Sequence, residues 1–294
     1  MSRLLVVDGH AYAYRAFYAI RELRSPSGQP TNAIYGFVKM LEKMRQAIGP
    51  THLMVVWDGG LSAERVAALP EYKSHRPEMP ADLRPQLDGI CSYLSAAGVP
   101  QYCGDGVEAD DYIASLARRA EAEGWDVVIA SSDKDFMQLV SDRVGLLNPN
   151  DKGGAVWTHE QVLAKAGVAP GQVADWLALM GDAVDNIPGV PGVGPKTAAG
   201  LLQQFGSVES LLGRLDEVKS EKVRAALRVA AADVRRNQGL VRLPDVPCEF
   251  APAKLGVRPA DGAVLRGLFG GWGFKGMLAG LGAAGGPEKQ AELI

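Results

Sequence analysis

Three segments of the chain are apolar without alternation and end in an acid. They are residues 3–8 (Arg-Leu-Leu-Val-Val-Asp), 52–58 (His-Leu-Met-Val-Val-Trp-Asp) and 126–133 (Asp-Val-Val-Ile-Ala-Ser-Ser-Asp). Unbroken apolar runs of this length suit strands covered on both faces. Between them the period changes. Ile34, Phe37, Leu41, Met44 and Ile48 recur at steps of three and four, which predicts a helix over 32–48 with one apolar face. Ile113, Leu116 and Ala120 predict another over 109–123. Strands alternating with helices predict an α/β fold with a central, mostly parallel sheet flanked by helices. Such sheets collect ligands outside the carboxyl ends of their strands, and Asp8, Asp58 and Asp133 all stand at such ends.

From about residue 159 the pattern is helical only, with helices expected over 159–166, 170–181, 195–205, 207–213 and 217–236. This reading divides the chain into an α/β domain at 1–158, a helical subdomain at 159–278 and a Gly/Ala-rich flexible tail at 279–294. Segment 70–86 carries four prolines and the charges Glu71, Lys73, Arg76, Glu78, Asp82 and Arg84, with little apolar content. It is expected to be exposed and mobile.

The 294 residues suffice for a substantial core, and the 47% hydrophobic content is ordinary for a globular chain. No apolar run approaches the ~20 residues of a membrane span. The start, Met1 to Asp8, is too short and too soon charged for a signal peptide, so a cytoplasmic protein with no membrane partner, and a monomer, is expected. Cys91, Cys103 and Cys248 are widely spaced and form no zinc pattern, which predicts reduced thiols.

The acids are distributed unevenly. Asp8; Asp58; Glu108, Asp110 and Asp111; Asp133 and Asp135; Asp182 and Asp185 make five clusters, three of them after strands. Taken singly, each fits a helix cap, a helix N-terminus or a solvated turn. Gathered by a sheet, they would repel one another and take up protons unless cations intervened. Hard divalent ions with oxygen ligands, magnesium above all, suit such a pocket. Two ions ~4 Å apart are suited to phosphodiester hydrolysis. No Ser-His-Asp set competes with this chemistry. Setting the nine carboxylates aside turns the formal charge of −3 into 31 basic residues against 25 acidic ones, a balance of +6. The remaining surface can therefore hold phosphates.

Residues 189–197 (Gly-Val-Pro-Gly-Val-Gly-Pro-Lys-Thr) imitate a phosphate-binding loop, but Pro195 intrudes before Lys196 and no strand precedes the loop. Nucleotide hydrolysis is excluded on that ground. Ile187, Val190, Gly192-Val193-Gly194, Ala198 and Leu201 instead match a helix–hairpin–helix over about 182–205. Its glycines permit a tight turn, Pro195 fits the first helical position, and the N–H groups there can grip a phosphate beside Lys196. An ordinary glycine turn between packed helices is the alternative.

Together these motifs resemble the 5′→3′ exonuclease and flap endonuclease family, which includes the nuclease domain of bacterial DNA polymerase I. The resemblance runs from Leu4 to about Leu278. It rests on Val6-Val7-Asp8-Gly9, Trp57-Asp58, Tyr72-Lys73-x-x-Arg76-Pro77, Gly106-x-Glu108-Ala109-Asp110-Asp111, Ser132-Asp133-Lys134-Asp135, and Gly181-Asp182-x-x-Asp185-Asn186-Ile187-Pro188-Gly189-x-x-Gly192-x-Gly194. It implies a PIN-like sheet and two Mg²⁺, with Mn²⁺ as a substitute. Asp8, Asp58, Glu108 and Asp110 would serve the first ion, with Asp111 close by or acting through water. Asp133, Asp135, Asp182 and Asp185 would serve the second.

The same resemblance makes Lys73 and Arg76 catalytic contacts to the scissile phosphate at the start of a helical arch over about 70–90. Tyr72, Lys73, Arg76 and the hairpin residues Gly192, Val193, Gly194, Lys196 and Thr197 would bind DNA, and the hairpin would hold a K⁺ ion. From the residues alone, Lys73 and Arg76 are a basic pair that also fits a solvated surface. The implied substrates are DNA with a 5′ flap, nick or 5′ end, or an RNA primer on DNA. The activity would serve primer or flap removal in replication, or repair, with a DNA polymerase acting in the same pathway. No polymerase region follows Ile294, so a stand-alone nuclease or a fragment is expected. A PIN-type ribonuclease and a non-cleaving branched-DNA-binding protein are the other readings. The hairpin and arch speak against the first, and the full acid set against the second.

Overall fold

A computed structural model describes residues 2–150 and 154–283. Strands β1 (Arg3–Asp8), β2 (His52–Trp57), β3 (Gln101–Cys103), β4 (Asp126–Ala130), β5 (Val144–Leu147) and β6 (Val156–Trp157) form one sheet in the order β3-β2-β1-β4-β5-β6. β1 lies parallel to β2 and β4, β4 parallel to β5, and β6 antiparallel at the edge. The expected mostly parallel sheet is therefore present. Leu4, Leu5, Val6, Leu53, Val55, Val127 and Ile129 are wholly or almost wholly buried, as strands covered on both faces require. Register then sets the site. Asp8 pairs with Val56, two residues before Asp58, and Val7 pairs with Ala130, three before Asp133. All three acids reach the same edge of the sheet.

Between the strands run α1 (Gly9–Ala19), α2 (Asn32–Ile48), α3 (Ala63–Ala68), α4 (Arg84–Ala96) and α5 (Ala109–Ala122). After the sheet come α6 (His159–Ala166), α7 (Val173–Met180), α8 (Pro195–Phe205), α9 (Val208–Gly213) and α10 (Glu221–Val241). A two-stranded hairpin, β7 (Gly181–Asp182) and β8 (Ile187–Pro188), separates α7 from α8. The chain continues through α11 (Pro252–Leu255), α12 (Gly262–Trp272) and α13 (Lys275–Ala283).

Most expected elements are found, with instructive shifts. The third strand stops at Ala130. Beyond it the Ser131 hydroxyl and the Asp133 carboxylate accept from the backbone N–H groups of Asp133 and Asp135 and start a 3₁₀ turn at Lys134. The helix expected over 217–236 begins instead at Glu221, where the Ser220 side chain caps it, and its buried stripe continues through Leu240 and Val241. Segment 70–83 forms turns and no helix, so the helical arch is not seen there; helix resumes at Arg84. Tyr72 and Lys73 are buried, against the expected exposure of the segment. Of the expected tail, residues up to 283 belong to α13 and residues 284–294 lie outside the described residues.

The chain forms two compact units that do not follow a cut at residue 158. The first comprises Met1–Ala11, Pro50–Glu78 and Tyr102–Pro252. It unites the sheet with the helices expected as a separate subdomain, because α7 packs on the 3₁₀ turn Lys134–Leu139 and α10 packs on both α7 and α3. The second comprises Tyr12–Gly49, Met79–Gln101 and Ala253–Ile294. There α2 packs on α4 and α4 on α12, with Tyr35, Tyr93, Phe269, Trp272 and Phe274 in one aromatic cluster. The buried Gln86 amide ties α4 to the start of α2 through Ala33 N–H (2.7 Å) and Asn32 Oδ1 (3.0 Å).

The β7–β8 hairpin brings Gly181 and Gly189 too close together for a side chain on either. Gly181 has φ +77°, and a Cβ on it would stand 2.4 Å from the Gly189 nitrogen and 2.6 Å from the Ile187 oxygen. Both the conformation and the space exclude a side chain. Gly181→Ala is expected to cost about 1–3 kcal/mol or more in a urea denaturation series, and an unchanged midpoint would show that the hairpin tolerates the methyl group.

Candidate metal centre

Each acid reaches the pocket by a separate local device. Asp8 ends β1, where its carboxylate accepts from Ala11 N–H (3.0 Å) and from the Ser131 hydroxyl (2.7 Å). Asp58 follows β2, and its N–H donates to His10 Nδ1 (3.2 Å), whose ring packs edge-on against Trp57. Glu108 precedes α5 and Asp110 lies in its first turn, where a helix favours negative charge. Asp133 caps the 3₁₀ turn and Asp135 lies inside it. Asp182 ends β7, and its side chain accepts from Val184 N–H (2.9 Å) to shape the turn leading to Asp185.

The structure brings eight of the nine predicted carboxylates into one connected cluster. Asp8 interacts with Asp58 and Asp133, and Asp110 with Asp8, Asp133 and Glu108. Asp133 interacts with Asp182 and Asp185. Carboxylate oxygens of Asp135, Asp182 and Asp185 all lie within 4.8 Å of one another. The ninth, Asp111, meets the cluster only through Glu108 and is paired on its other side. Both its oxygens accept from the Arg65 guanidinium, at 2.7 and 2.8 Å.

Four cationic side chains border the cluster, Arg65 being one, 3.2 Å from Glu108 Oε1. Lys73, in a left-handed conformation at φ +54°, puts its ammonium on Glu108 and 3.8 Å from Asp185. Arg76 meets Asp185 at 2.5 Å and Lys134 meets Asp182 at 2.7 Å. Tyr72, expected to touch DNA, is buried with its hydroxyl donating to Glu108 (3.1 Å). The Lys73 N–H donates to the Asp185 carbonyl (3.0 Å), and Asn186 Nδ2 donates to the Glu71 carbonyl (2.8 Å). Segment 71–76 is thereby fastened to the turn after β7. Arg65, Ser131 and Lys134 were missed as functional candidates. Lys134 was visible between Asp133 and Asp135, whereas nothing local marks Arg65.

Burial and mutual repulsion govern ionisation. Burial, with Asp133 and Asp58 adding to it, pushes Asp8 up to about 6. Burial followed by neighbouring carboxylates also raises Asp110, Asp133 and Asp135. Glu108 differs: burial pushes it up, but Lys73 and Arg65 outweigh this and hold it below the usual range. Burial would lower Lys73, yet Asp185, Asp110 and Glu108 keep it charged.

A divalent ion fits these residues. Buried Oδ1 atoms of Asp58 and Asp135 have no hydrogen-bond partner, an expensive state for a carboxylate oxygen unless a cation is at hand. The donors are all oxygens, which suits magnesium, manganese or calcium over softer ions.

The hairpin expected to hold phosphate is also formed. Ile187, Val190, Val193, Ala198 and Leu201 are buried, while Gly192, Gly194, Lys196 and Thr197 are exposed at the start of α8. Gly192 needs its positive φ of +81°. Gly194 has φ −93°, open to any residue, and a Cβ there would meet nothing within 4 Å.

Comparison with known proteins agrees with this arrangement. Residues 3–167 match the family described as 5′-3′ exonuclease, N-terminal resolvase-like domain, and residues 168–263 match 5′-3′ exonuclease, C-terminal SAM fold. The chain is 40% identical over 263 residues to a 5′-3′ exonuclease of Aquifex aeolicus, covering 89% of each. It is 39% identical over 280 residues to DNA polymerase I of Bacillus caldotenax, covering 94% of this chain but only 32% of that longer protein. Bacteriophage T5 5′-exonuclease, solved with bound zinc, superposes with a TM-score of 0.69 at 26% identity over 82% of this chain and 90% of that one. The T5 D15 flap endonuclease, solved with DNA and metal ions, gives 0.68 at 24% identity over 82% and 89%. Among the described residues, no helix is long and apolar enough to cross a membrane.

Protons and divalent ions compete for these carboxylates. Asp8 is raised in the folded state, so its protonation favours the fold below about pH 4, and that contribution is lost as pH rises through about 6. In EDTA the melting temperature is expected to fall between pH 5 and pH 7.5. Added Mg²⁺ is expected to raise it more at pH 7.5 than at pH 5, and an equal rise at both would remove the carboxylates from the ion site.

Proposed function

Because this chain belongs to the 5′-3′ exonuclease family, we propose that it is a structure-selective nuclease cutting DNA at 5′ flaps, nicks and 5′ ends. The observation that carries this reading is the cluster of eight carboxylates, two with unpartnered buried oxygens, bordered by Lys73 and Arg76. Asp8, Asp58, Glu108 and Asp110 would hold one Mg²⁺ and Asp133, Asp135, Asp182 and Asp185 a second, with Mn²⁺ able to substitute. When bound, such ions supply an activated water and stabilise charge on the scissile phosphate.

The chain's own residues do the rest. Lys73 and Arg76 are charged and lie next to Glu108 and Asp185, so they can donate to a phosphate oxygen that enters the pocket. Tyr72 holds Glu108 by a hydrogen bond and orients it rather than meeting the substrate. The exposed start of α8 grips a backbone phosphate of the duplex. Gly194 supports this, because the fold itself does not require a glycine there, whereas a closely approaching phosphate would. A K⁺ ion at the hairpin would strengthen the grip. Contacts of this kind hold DNA without reading sequence. The class of substrate suits primer or flap removal beside a DNA polymerase.

A 5′-flap DNA labelled at its 5′ end tests the reading directly. With Mg²⁺ a short labelled product from the flap base is expected, and none with EDTA. Tight flap binding without any cleavage would replace the nuclease by a branched-DNA-binding protein, and preference for single-stranded RNA would favour a ribonuclease. Asp135→Asn is expected to lower cleavage about 100-fold or more, beyond what a supporting partner of a ligand contributes, with DNA affinity in EDTA nearly unchanged. Lys196→Ala is expected to weaken duplex binding across sequences and to reduce its salt slope by about 1; an unaltered slope would remove the hairpin from the interface.

A further inference from the structure

Asp110 and Asp111 are adjacent, but one step along a helix turns the side chain by about 100°. Asp110 therefore faces Asp8 and Asp133, while Asp111 faces α3 and the end of α10. Asp111 is 4% exposed, and both its oxygens accept from Arg65, itself 7% exposed. The same guanidinium donates to the Leu240 carbonyl (2.9 Å), lies 3.4 Å from that of Arg242, and stands 3.2 Å from Glu108 Oε1. Glu108 Oε1 also accepts from Ser62 N–H (3.0 Å). One oxygen of Glu108 is thus held on the α3 side, and Oε2 is turned toward Tyr72 and Lys73.

We propose that Arg65 and Asp111 form a positioning clamp for Glu108, with Asp111 serving as the counter-charge of Arg65 and not as a metal ligand. The inference rests on the divalent-ion reading above. It accounts for three facts together: a fully paired carboxylate beside a cluster of underpaired ones, a buried arginine whose guanidinium is committed to Asp111, Leu240 and Glu108, and a Glu108 with its two oxygens committed in different directions. The forked pairing is specific to arginine, since an ammonium cannot reproduce two parallel bonds to a carboxylate while also reaching Leu240 and Glu108.

Charge and position make opposite demands, which allows a clean test. A positive group beside a cation site repels the ion, so electrostatics alone would have loss of Arg65 tighten ion binding. Replacing both partners by apolar residues leaves the net charge unchanged, and folds often tolerate that exchange. Mn²⁺ affinity would be measured by calorimetry for the wild type, for Arg65→Lys and for the double variant Arg65→Met with Asp111→Leu, with circular dichroism melts alongside. The clamp predicts Mn²⁺ binding about 10–100-fold weaker in both variants with the fold retained. Wild-type affinity in either folded variant would overturn it. Weak binding in the double variant with normal binding in Arg65→Lys would make Asp111 a ligand after all. Loss of fold in both would assign the pair to stability alone. A wild type that binds no Mn²⁺ would instead remove the divalent-ion reading, and the clamp with it.

Discussion

Like charges at close range in a partly buried pocket are costly, and eight carboxylates at one edge of this sheet set the terms for everything around them. The protein answers the repulsion in three ways. Some groups are raised toward protonation, as Asp8 is. Some are matched by a neighbouring cation, as Glu108 is by Lys73. Some keep an unpaired oxygen, as Asp58 and Asp135 do. Only the third is intolerable in isolation, and it is the one that calls for an ion. The same pressure explains why Tyr72 and Lys73, in an otherwise polar stretch, are drawn inward: counter-charge is worth more at this pocket than in water.

The fold makes that concentration of charge affordable by spending its strongest element on it. Parallel strands with fully buried side chains fix register, because a slip of one residue would turn every side chain to the other face. Asp8, Asp58 and Asp133 inherit their mutual positions from that register. Asp182 and Asp185 come from a separate hairpin that has no share in the sheet, and they are brought in by α7 packing on the turn that holds Asp135. The helices after the sheet therefore share in the site's construction, and one compact unit holds them together with the sheet.

What the sequence disclosed follows the same division. Apolar runs and helical periodicity announced β1, β2, α2 and α8 nearly to the residue, because burial imposes those patterns locally. The acids were legible for a different reason: their position after strands is a local signal repeated several times. In segment 70–86 four prolines and many charges rightly mark an exposed stretch but hide the burial of Tyr72 and Lys73, because the bonds that fix Lys73 and Asn186 join residues more than a hundred positions apart. The pairing of Asp111 with Arg65 was not legible, because adjacency in sequence hides a turn of the helix. Arg65 was invisible, its partners being distant carbonyls and carboxylates with no common motif.

The nine steps along the chain from Asp185 to Gly194 span at most about 30 Å even when fully extended, and here they are folded back through β8 and a glycine turn. One end of that stretch belongs to the acidic cluster and the other to the exposed start of α8. On the proposed reading, a phosphate chain held at one end would meet the other at a set spacing, whatever bases it carried. Such a molecule would choose its position by length, as a caliper does, and a single inserted residue between Asp185 and Gly194 would move the jaw.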